Sequence, residues 1–443
     1  MFQTIKNAFK IPDLRRRIFF TLLMLIVFRF GAHIPVPFLS PDAMQQFLSG
    51  GGADLFSLFD VFTGGAFSNA TVMAMGVSPY INASIIVQLL TVAIPALERL
   101  AKEGVEGRKK INKITRYLGI ILAFVQGAGL YVTLHNMGVE SGTTVIMNES
   151  WLTFFVITLT FTAGTAFIVW LGELITEKGL GNGVSLIIFA GIVSRIPTAG
   201  VAIYKQYLAA NVSIKNVIIV AAIVVVAIAA IVFVVMFNSA ERRIPVQYAK
   251  RVVGRKMYGG QSTNIPIKVV MGGVMPIIFA SSIMAFPATI VRLAAGGKMP
   301  ETGIGYYLLS CLSAGMGPWW TSVVYGVLYF LLIIFFTYFY SAIQFNPIEM
   351  ANNMKKSGGY IPGYRPGKPT SDFIAKVSNR LNLAGAIFLG IIAVMPIVVG
   401  AIFGITGLQI GGTSLLIMEG VALETVRQIE SQMTMRHYKG FLE

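Results

Sequence analysis

Ten long apolar segments run through this 443-residue chain, and they restrict it to the folds of polytopic membrane proteins. A helix needs about 20 predominantly apolar residues to cross the hydrocarbon core of a bilayer. Only 12% of the residues are charged, whereas a soluble domain carries about 25%. We therefore predict an all-α fold with ten transmembrane helices. The segments lie near residues 18–37, 72–97, 115–136, 151–172, 182–203, 214–238, 268–292, 318–343, 381–404 and 408–427.

The connections between these segments alternate between basic and non-basic. Loops 98–116, 239–268 and 344–380 carry seven, seven and six Lys or Arg residues, whereas residues 31–71 carry none. Because Lys and Arg accumulate on the cytoplasmic side of membrane proteins, these three loops and both chain termini are predicted to be cytoplasmic. The connection 195–215, which carries three cations, fits this alternation least well.

Two short motifs each occur twice, in the same order. Residues 76–86 (Gly-Val-Ser-Pro-Tyr-Ile-Asn-Ala-Ser-Ile-Ile) and 273–283 (Gly-Val-Met-Pro-Ile-Ile-Phe-Ala-Ser-Ser-Ile) share Gly, Val, Pro, Ile, Ala and Ser at equal offsets. Residues 183–188 likewise resemble residues 412–417. This order indicates a duplication, and five helices per copy would give the second half the opposite orientation, which is an inverted repeat. The expected halves are 1–203 and 204–443.

The chain shows no residues arranged for enzyme chemistry. It has one cysteine and three scattered histidines, and it lacks a phosphate-binding loop or a nucleophile motif. Ionisable residues deep in a membrane segment are functional candidates, and here these are Arg29 and Glu419. An ion-coupled transporter usually shows more such groups, so their scarcity argues against a transporter of a small solute. The duplication alone supports such a transporter equally, and it stays as the alternative. An assembly scaffold is a third interpretation.

The repeated motifs place isoleucines at equivalent positions, namely Ile81, Ile188, Ile278 and Ile417. One from each special helix could converge on the pseudo-two-fold axis and form an apolar constriction. Such a constriction blocks water and ions by dewetting, yet it could deform around a large apolar chain. Ordinary helix packing accounts for any one of these isoleucines equally well.

Residues 38–71, on the non-basic side, contain a short apolar part at 55–62 that cannot span a bilayer. It could be a re-entrant segment, which is tolerated at membrane depth only inside protein or a water-filled cavity, or a half-helix at the interface. Loops 239–268 and 344–380 are rich in proline and glycine among their cations, which indicates shaped tips. They could dock a large anionic partner, such as ribosomal RNA or a cytosolic motor, or simply contact lipid headgroups.

Motifs spread over the whole chain resemble the SecY/Sec61-alpha family, whose bacterial members are the central channel subunits of the protein translocase. They are Phe-Thr-Gly-Gly-Ala at 62–66, Ser-Pro-Tyr-Ile-Asn-Ala-Ser-Ile-Ile at 78–86, Trp-Leu-Gly-Glu-Leu-Ile-Thr at 170–176, Arg-Pro-Gly at 365–367 and Gly-Gly-Thr-Ser-Leu-Leu-Ile at 411–417. The resemblance implies a clamshell of two inverted halves, hinged near the connection between helices five and six, around an hourglass pore with a re-entrant plug. It implies passage of unfolded secretory chains and lateral release of hydrophobic segments into lipid, with no enzyme activity and no cofactor.

The resemblance also implies roles for particular residues. The pore ring would comprise Val77, Ile81, Val184, Ile188, Met275, Ile278 and Ile417. The plug, residues 55–71, would include Leu55, Phe59, Phe62, Gly64 and Gly65. The lateral gate between helices 2–3 and 7–8 would include Gln88, Asn182 and Ser282.

The implied partners are the SecE and SecG subunits, the SecA ATPase, the ribosome, preproteins with their signal sequences, and the lipid bilayer of a bacterial plasma membrane. The motor and the ribosome would contact Arg108, Lys109, Lys110, Lys250, Arg251, Arg255, Lys256 and Arg365. One departure from the family is Glu419, where an apolar residue is usual. On a helix it points about 200° away from Ile417, so we expect it to face a neighbouring helix or a partner and not the pore.

Overall fold

The computed structural model describes residues 2–49, 60, 63–141, 145–148, 150–204, 214–248, 251–253, 256–258, 262–294, 303–312, 319–403 and 411–439. The helices of the first half are α1 Phe2–Lys10, α2 Pro12–Gly31, α3 Pro41–Ser49, α4 Ser78–Ala93, α5 Pro95–Lys102, α6 Val105–Ser141, α7 Trp151–Lys178 and α8 Gly183–Ile203. Those of the second half are α9 Ile214–Ser239, α10 Met275–Ala294, α11 Ile304–Leu312, α12 Trp319–Gln344, α13 Pro347–Lys356, α14 Lys368–Phe403 and α15 Gly411–Lys439.

Each of the ten predicted segments overlaps one of these helices. Length and hydropathy alone mark four membrane spans in the described residues, at Val105–Asn136, Trp151–Lys178, Trp320–Lys356 and Lys368–Val398. Helices α4 and α5 form a fifth if they are counted as one bent span. The apolar parts of α8, α9 and α10 are shorter. The all-α membrane fold is therefore confirmed, whereas the number ten stays a prediction.

Prolines correct the bounds of two predicted segments. The segment predicted at 72–97 becomes a helix only at Ser78, and it breaks at Ile94 with a bend of 100°. Pro95 causes this break, because a residue before proline is driven to the extended conformation that Ile94 adopts, with φ −106° and ψ 114°. The first segment ends at Gly31, ahead of the two prolines with which 18–37 closes.

The two copies of the first motif have the same backbone. Gly76 has φ +57° and Gly273 has φ +58°, a left-handed conformation that favours glycine. In each copy a helix begins two residues later, at Ser78 and at Met275. The shared proline is the second residue of that helix, where its missing N–H has no partner to lose. The repetition in sequence is thus a repetition in structure.

The two large basic loops fold onto each other. Strands β1 (Glu241–Tyr248) and β4 (Ser262–Lys268) pair antiparallel, and the short β5 (Gly359–Tyr360) adds to the other edge of β1. A hydrophobic cluster under this sheet comprises Ile244, Val246, Ile267, Met354, Ile361 and Ile374. Strands β2 (Arg251–Val253) and β3 (Lys256–Tyr258) form a separate hairpin. The prediction that these loops are shaped is confirmed for their described residues.

Candidate functional site

Two cavities meet at the predicted ring. The wider one, of about 470 Å³, lies on the side of the basic loops and is lined by Ile81, Val184, Ile188, Met275 and Ile278 among others. The smaller one, of about 40 Å³, is lined by Val77, Ile81, Ile188, Ile278 and Ile417 among others. Because Ile81, Ile188 and Ile278 line both cavities, they form the partition between them.

All seven predicted ring residues lie in or against one hydrophobic cluster. Ile188, Ile278 and Ile417 are only 3%, 5% and 1% exposed. Four helices, α4, α8, α10 and α15, supply the four isoleucines. Ordinary packing explains their burial, but it does not predict that three of them, Ile81, Ile188 and Ile278, line both cavities. An apolar partition of this kind excludes water and ions by dewetting.

The wider cavity, which we call the vestibule, has a charged wall. Its lining includes Lys109, Lys113, Arg116, Glu173 and Glu177. The Arg116 guanidinium donates to Glu173 Oε2 at 2.9 Å and thereby joins α6 to α7. The vestibule therefore has charged side chains on the wall formed by α6 and α7, and aliphatic side chains at the isoleucine partition.

The smaller cavity lies between the two halves. Asn82 and Gln126 line it from α4 and α6, and Ser281, Ser282 and Thr289 line it from α10. The structure thus places the predicted gate residue Ser282 at the seam between the halves. Gln126 was not singled out from the sequence, although an amide inside the apolar run of α6 was a usable signal.

A hydrogen bond across the same seam involves the predicted gate residue Gln88. Its Oε1 accepts from the Tyr340 hydroxyl at 2.7 Å, and its amide nitrogen donates to Ser84 Oγ at 3.1 Å. Tyr340 belongs to α12 in the second half, so this bond ties the halves together. Asn182 lies elsewhere, at the start of α8, where its side chain accepts from the N–H groups of Val184 and Ser185 as an N-cap. Its gate role stays a prediction.

The plug prediction falls partly on described residues. Leu55, Phe59 and Phe62 lie outside them, whereas Gly64 and Gly65 adopt φ +67° and +87°. Asp60, Thr63 and Ala66 are 3%, 1% and 0% exposed, and Ala66 belongs to the same hydrophobic cluster as the ring. This burial favours a re-entrant segment inside the protein over a half-helix at the interface.

The two deep ionisable residues each have a partner. Arg29 donates from Nη1 to the Gly64 carbonyl at 2.6 Å. Glu419, 6% exposed, accepts from Asn238 Nδ2 of α9 at 2.5 Å. The expectation that Glu419 faces a neighbouring helix is therefore confirmed. Arg195, counted from the sequence as part of a weakly fitting loop, lies inside α8 and pairs with Asp60.

The predicted docking residues lie together on the basic side only in part. Arg108, Lys109 and Lys110 are exposed in the first turns of α6, and Arg365 is exposed in a turn after β5. Arg251 and Lys256 are on β2 and β3, where only the backbone is described, and Lys250 and Arg255 lie outside the described residues.

Comparisons with known proteins identify the family of this chain. The family model described as SecY matches residues 71–426. The protein translocase subunit SecY of Streptomyces galbus is 45% identical over 451 residues and covers 100% of both chains. The subunit of the same name from Mycobacterium tuberculosis is 45% identical and covers 99% of each.

Solved structures share the fold at low sequence identity. The structure described as that of a protein conducting channel matches with a TM-score of 0.66 and 18% identity, covering 95% of this chain and 92% of that one. Sec61 in the canine ribosome-channel complex matches with a TM-score of 0.64, 17% identity and the same coverage. With its duplicated halves, its isoleucine partition and these relatives, the chain belongs to the SecY family of protein translocase subunits.

Proposed function

We propose that unfolded polypeptides cross the membrane through the partition formed by the ring isoleucines, entering from the vestibule. The chain is a protein-conducting channel subunit and not an enzyme, as its family establishes. The observation that carries the proposed route is the position of Ile81, Ile188 and Ile278 between two cavities. Aliphatic side chains can separate around a passing chain and close behind it, while the apolar partition hinders the passage of ions.

The plug and the lateral gate complete this route. The segment 55–71 acts as the plug and seals the channel when no chain is present. The seam at Gln88, Ser282 and Tyr340 parts to release hydrophobic segments into lipid. The halves 1–203 and 204–443 move as the two sides of a clamshell, and the connection 205–213, where the hinge is expected, lies outside the described residues.

The basic side of the molecule is the docking side, and it faces the cytoplasm of a bacterial cell together with both termini. The exposed cations Arg108, Lys109, Lys110 and Arg365 engage the SecA ATPase and the ribosome. Lys250, Arg251, Arg255 and Lys256 take part in the same docking. SecE and SecG assemble with the chain in the membrane. Energy comes from these partners, and a transporter of a small solute is not favoured by the relatives that this chain matches.

Crosslinking to a stalled preprotein tests the route. In a Cys311→Ser background, single cysteines replace Ile81 or Ile278, and Ile277→Cys is the matched control. Ile277 is the sequence neighbour of Ile278 but is 0% exposed and lines neither cavity. We expect Ile81→Cys and Ile278→Cys to crosslink to the chain and Ile277→Cys not to do so. No crosslink at either ring position, with efficient crosslinks from an unrelated helix, would exclude the proposed route.

A further inference from the structure

The carboxylate of Asp60 is buried and fully used. Its side chain is 4% exposed. One oxygen accepts from the Ser68 backbone N–H at 2.8 Å, and the other accepts from Arg195 Nη1. Its backbone carbonyl accepts from the Gly65 N–H at 2.9 Å. Asp60 therefore organises the turn formed by residues 63–68 and also connects that turn to helix α8.

A second arginine reaches the same turn from another helix. Arg29 of α2 donates to the Gly64 carbonyl, while Arg195 of α8 donates to Asp60. Both guanidinium groups contact this one short turn, and their like charges repel each other. The Asp60 carboxylate is the negative charge that offsets this repulsion, since opposite charges in a partly desolvated site attract strongly.

The turn also packs directly on the backbone of α8. A Cβ atom at Gly64 would lie 2.9 Å from the backbone of Gly191 and 2.6 Å from Ser194 Oγ. At such distances there is no space for a Cβ atom, so only glycine fits at position 64. Both the ion pair and this contact therefore hold the turn against the middle of α8, one to two helical turns after the ring residue Ile188.

The ion pair is strong enough to hold the turn and weak enough to release it. Asp60 is buried, and a buried carboxylate left without its partner is strongly disfavoured. The Arg195 side chain, in contrast, is 35% exposed, so water can solvate it once the pair separates. A contact with one buried and one solvated member breaks without leaving both charges stranded.

We propose that Asp60 and Arg195 form an ionic latch that holds the plug against α8 and keeps the resting channel closed. Arg29, which contacts Gly64, is a second point of attachment. This inference rests on the proposed role of residues 55–71 as a plug. A polypeptide that displaces the plug must first break the latch. Asp60 and Arg195 are then positioning residues for closure, without contact to the translocating chain.

Resting ion conductance of the assembled complex in planar bilayers tests the latch. Asp60→Asn removes the offsetting charge, and Arg195→Gln removes the donor. We expect each to raise the resting open probability about tenfold, which corresponds to about 1.4 kcal/mol. The double variant should exceed the larger single effect only slightly, because both changes remove one interaction. Arg195→Lys, which keeps the charge, should stay close to the parent.

Two further variants distinguish loss of the latch from loss of the plug itself. Asp42→Asn makes the same change at an exposed acid of α3, and its conductance should equal that of the parent. Deletion of residues 58–66 should open the channel through loss of the plug. If the deletion opens it but Asp60→Asn and Arg195→Gln stay tight, the latch is wrong and the plug stands. If the deletion has no effect either, both proposals fail. Should Asp60→Asn fail to assemble, Arg195→Gln alone decides, since it changes the more exposed member.

Discussion

Replacing Tyr340 with phenylalanine should loosen the lateral gate without disturbing its packing. The variant removes only the hydroxyl that donates to Gln88 Oε1 at 2.7 Å, a normal length for an O–H···O bond. The aromatic ring at position 340 keeps its edge contact with that of Phe279, and the two ring centroids lie 5.0 Å apart. Because Gln88 and Tyr340 belong to different halves, the lost bond is one that must break when the gate opens.

The expected magnitude follows from the environment of this bond. Tyr340 is 6% exposed, and a neutral hydrogen bond contributes about 1 kcal/mol net in proteins. Measured values between membrane helices average about 0.6 kcal/mol and reach about 1.7. We therefore expect the ratio of closed to open gate to fall about three- to fivefold.

Integration of test segments with graded hydrophobicity measures this change. A looser gate should admit weaker segments into lipid, so the midpoint of the integration curve should move by about 1 kcal/mol toward less hydrophobic segments. Tyr338→Phe is the matched control, because that hydroxyl contacts the Asn379 carbonyl within the same half at 3.4 Å. If the two variants give the same midpoint, the hydrogen bond does not hold the gate.

Three other substitutions test separate parts of the molecule. Ile278→Ala should widen the partition and increase ion leakage, whereas Ile277→Ala removes equal volume from the core without leakage; equal leakage in planar bilayers would contradict the ring. Arg365→Glu should reduce motor-driven export in membrane vesicles while assembly is intact, and Lys376→Glu, an exposed cation of α14, should not; unchanged export with Arg365→Glu would refute the docking role. Glu419→Leu should lower thermal stability by about 1–3 kcal/mol because the Asn238 amide loses its buried acceptor, whereas Glu419→Gln should retain most of it; a Leu variant as stable as the Gln variant would argue against this contact.

Local and repeated patterns predicted much of the molecule. Apolar runs of membrane-spanning length placed a helix at each predicted position, because such a run can satisfy its backbone groups in lipid only as a helix. The duplicated motifs predicted that Ile81, Ile188, Ile278 and Ile417 lie together, since residues at equal offsets in two copies of one structure take equivalent positions. The bounds near Pro35 and Pro95 were less accurate, because hydrophobicity continues past the point where proline ends a helix.

Pairs of polar residues distant in sequence could not be predicted in this way. Tyr340 and Gln88 are 252 residues apart, and Arg195 and Asp60 are 135 apart. Hydropathy identifies a polar side chain in an apolar segment, but it carries no information on which other helix meets it. Arg195 was therefore counted as a loop cation, and Tyr340 was overlooked among the aromatic residues of α12.

The sheet formed by the two basic loops has a mechanical consequence. Strand β4 ends at Lys268, a few residues before α10 begins at Met275. On the other side of the sheet, α12 leads through the short α13 into β5. The buried cluster beneath the sheet packs residues of both loops against one another. Under the proposed docking and gating roles, a force applied at Arg365 passes through the sheet to α10 and α12, which line the seam. In the proposed mechanism, docking at the surface is thus mechanically coupled to separation of the two halves at the seam.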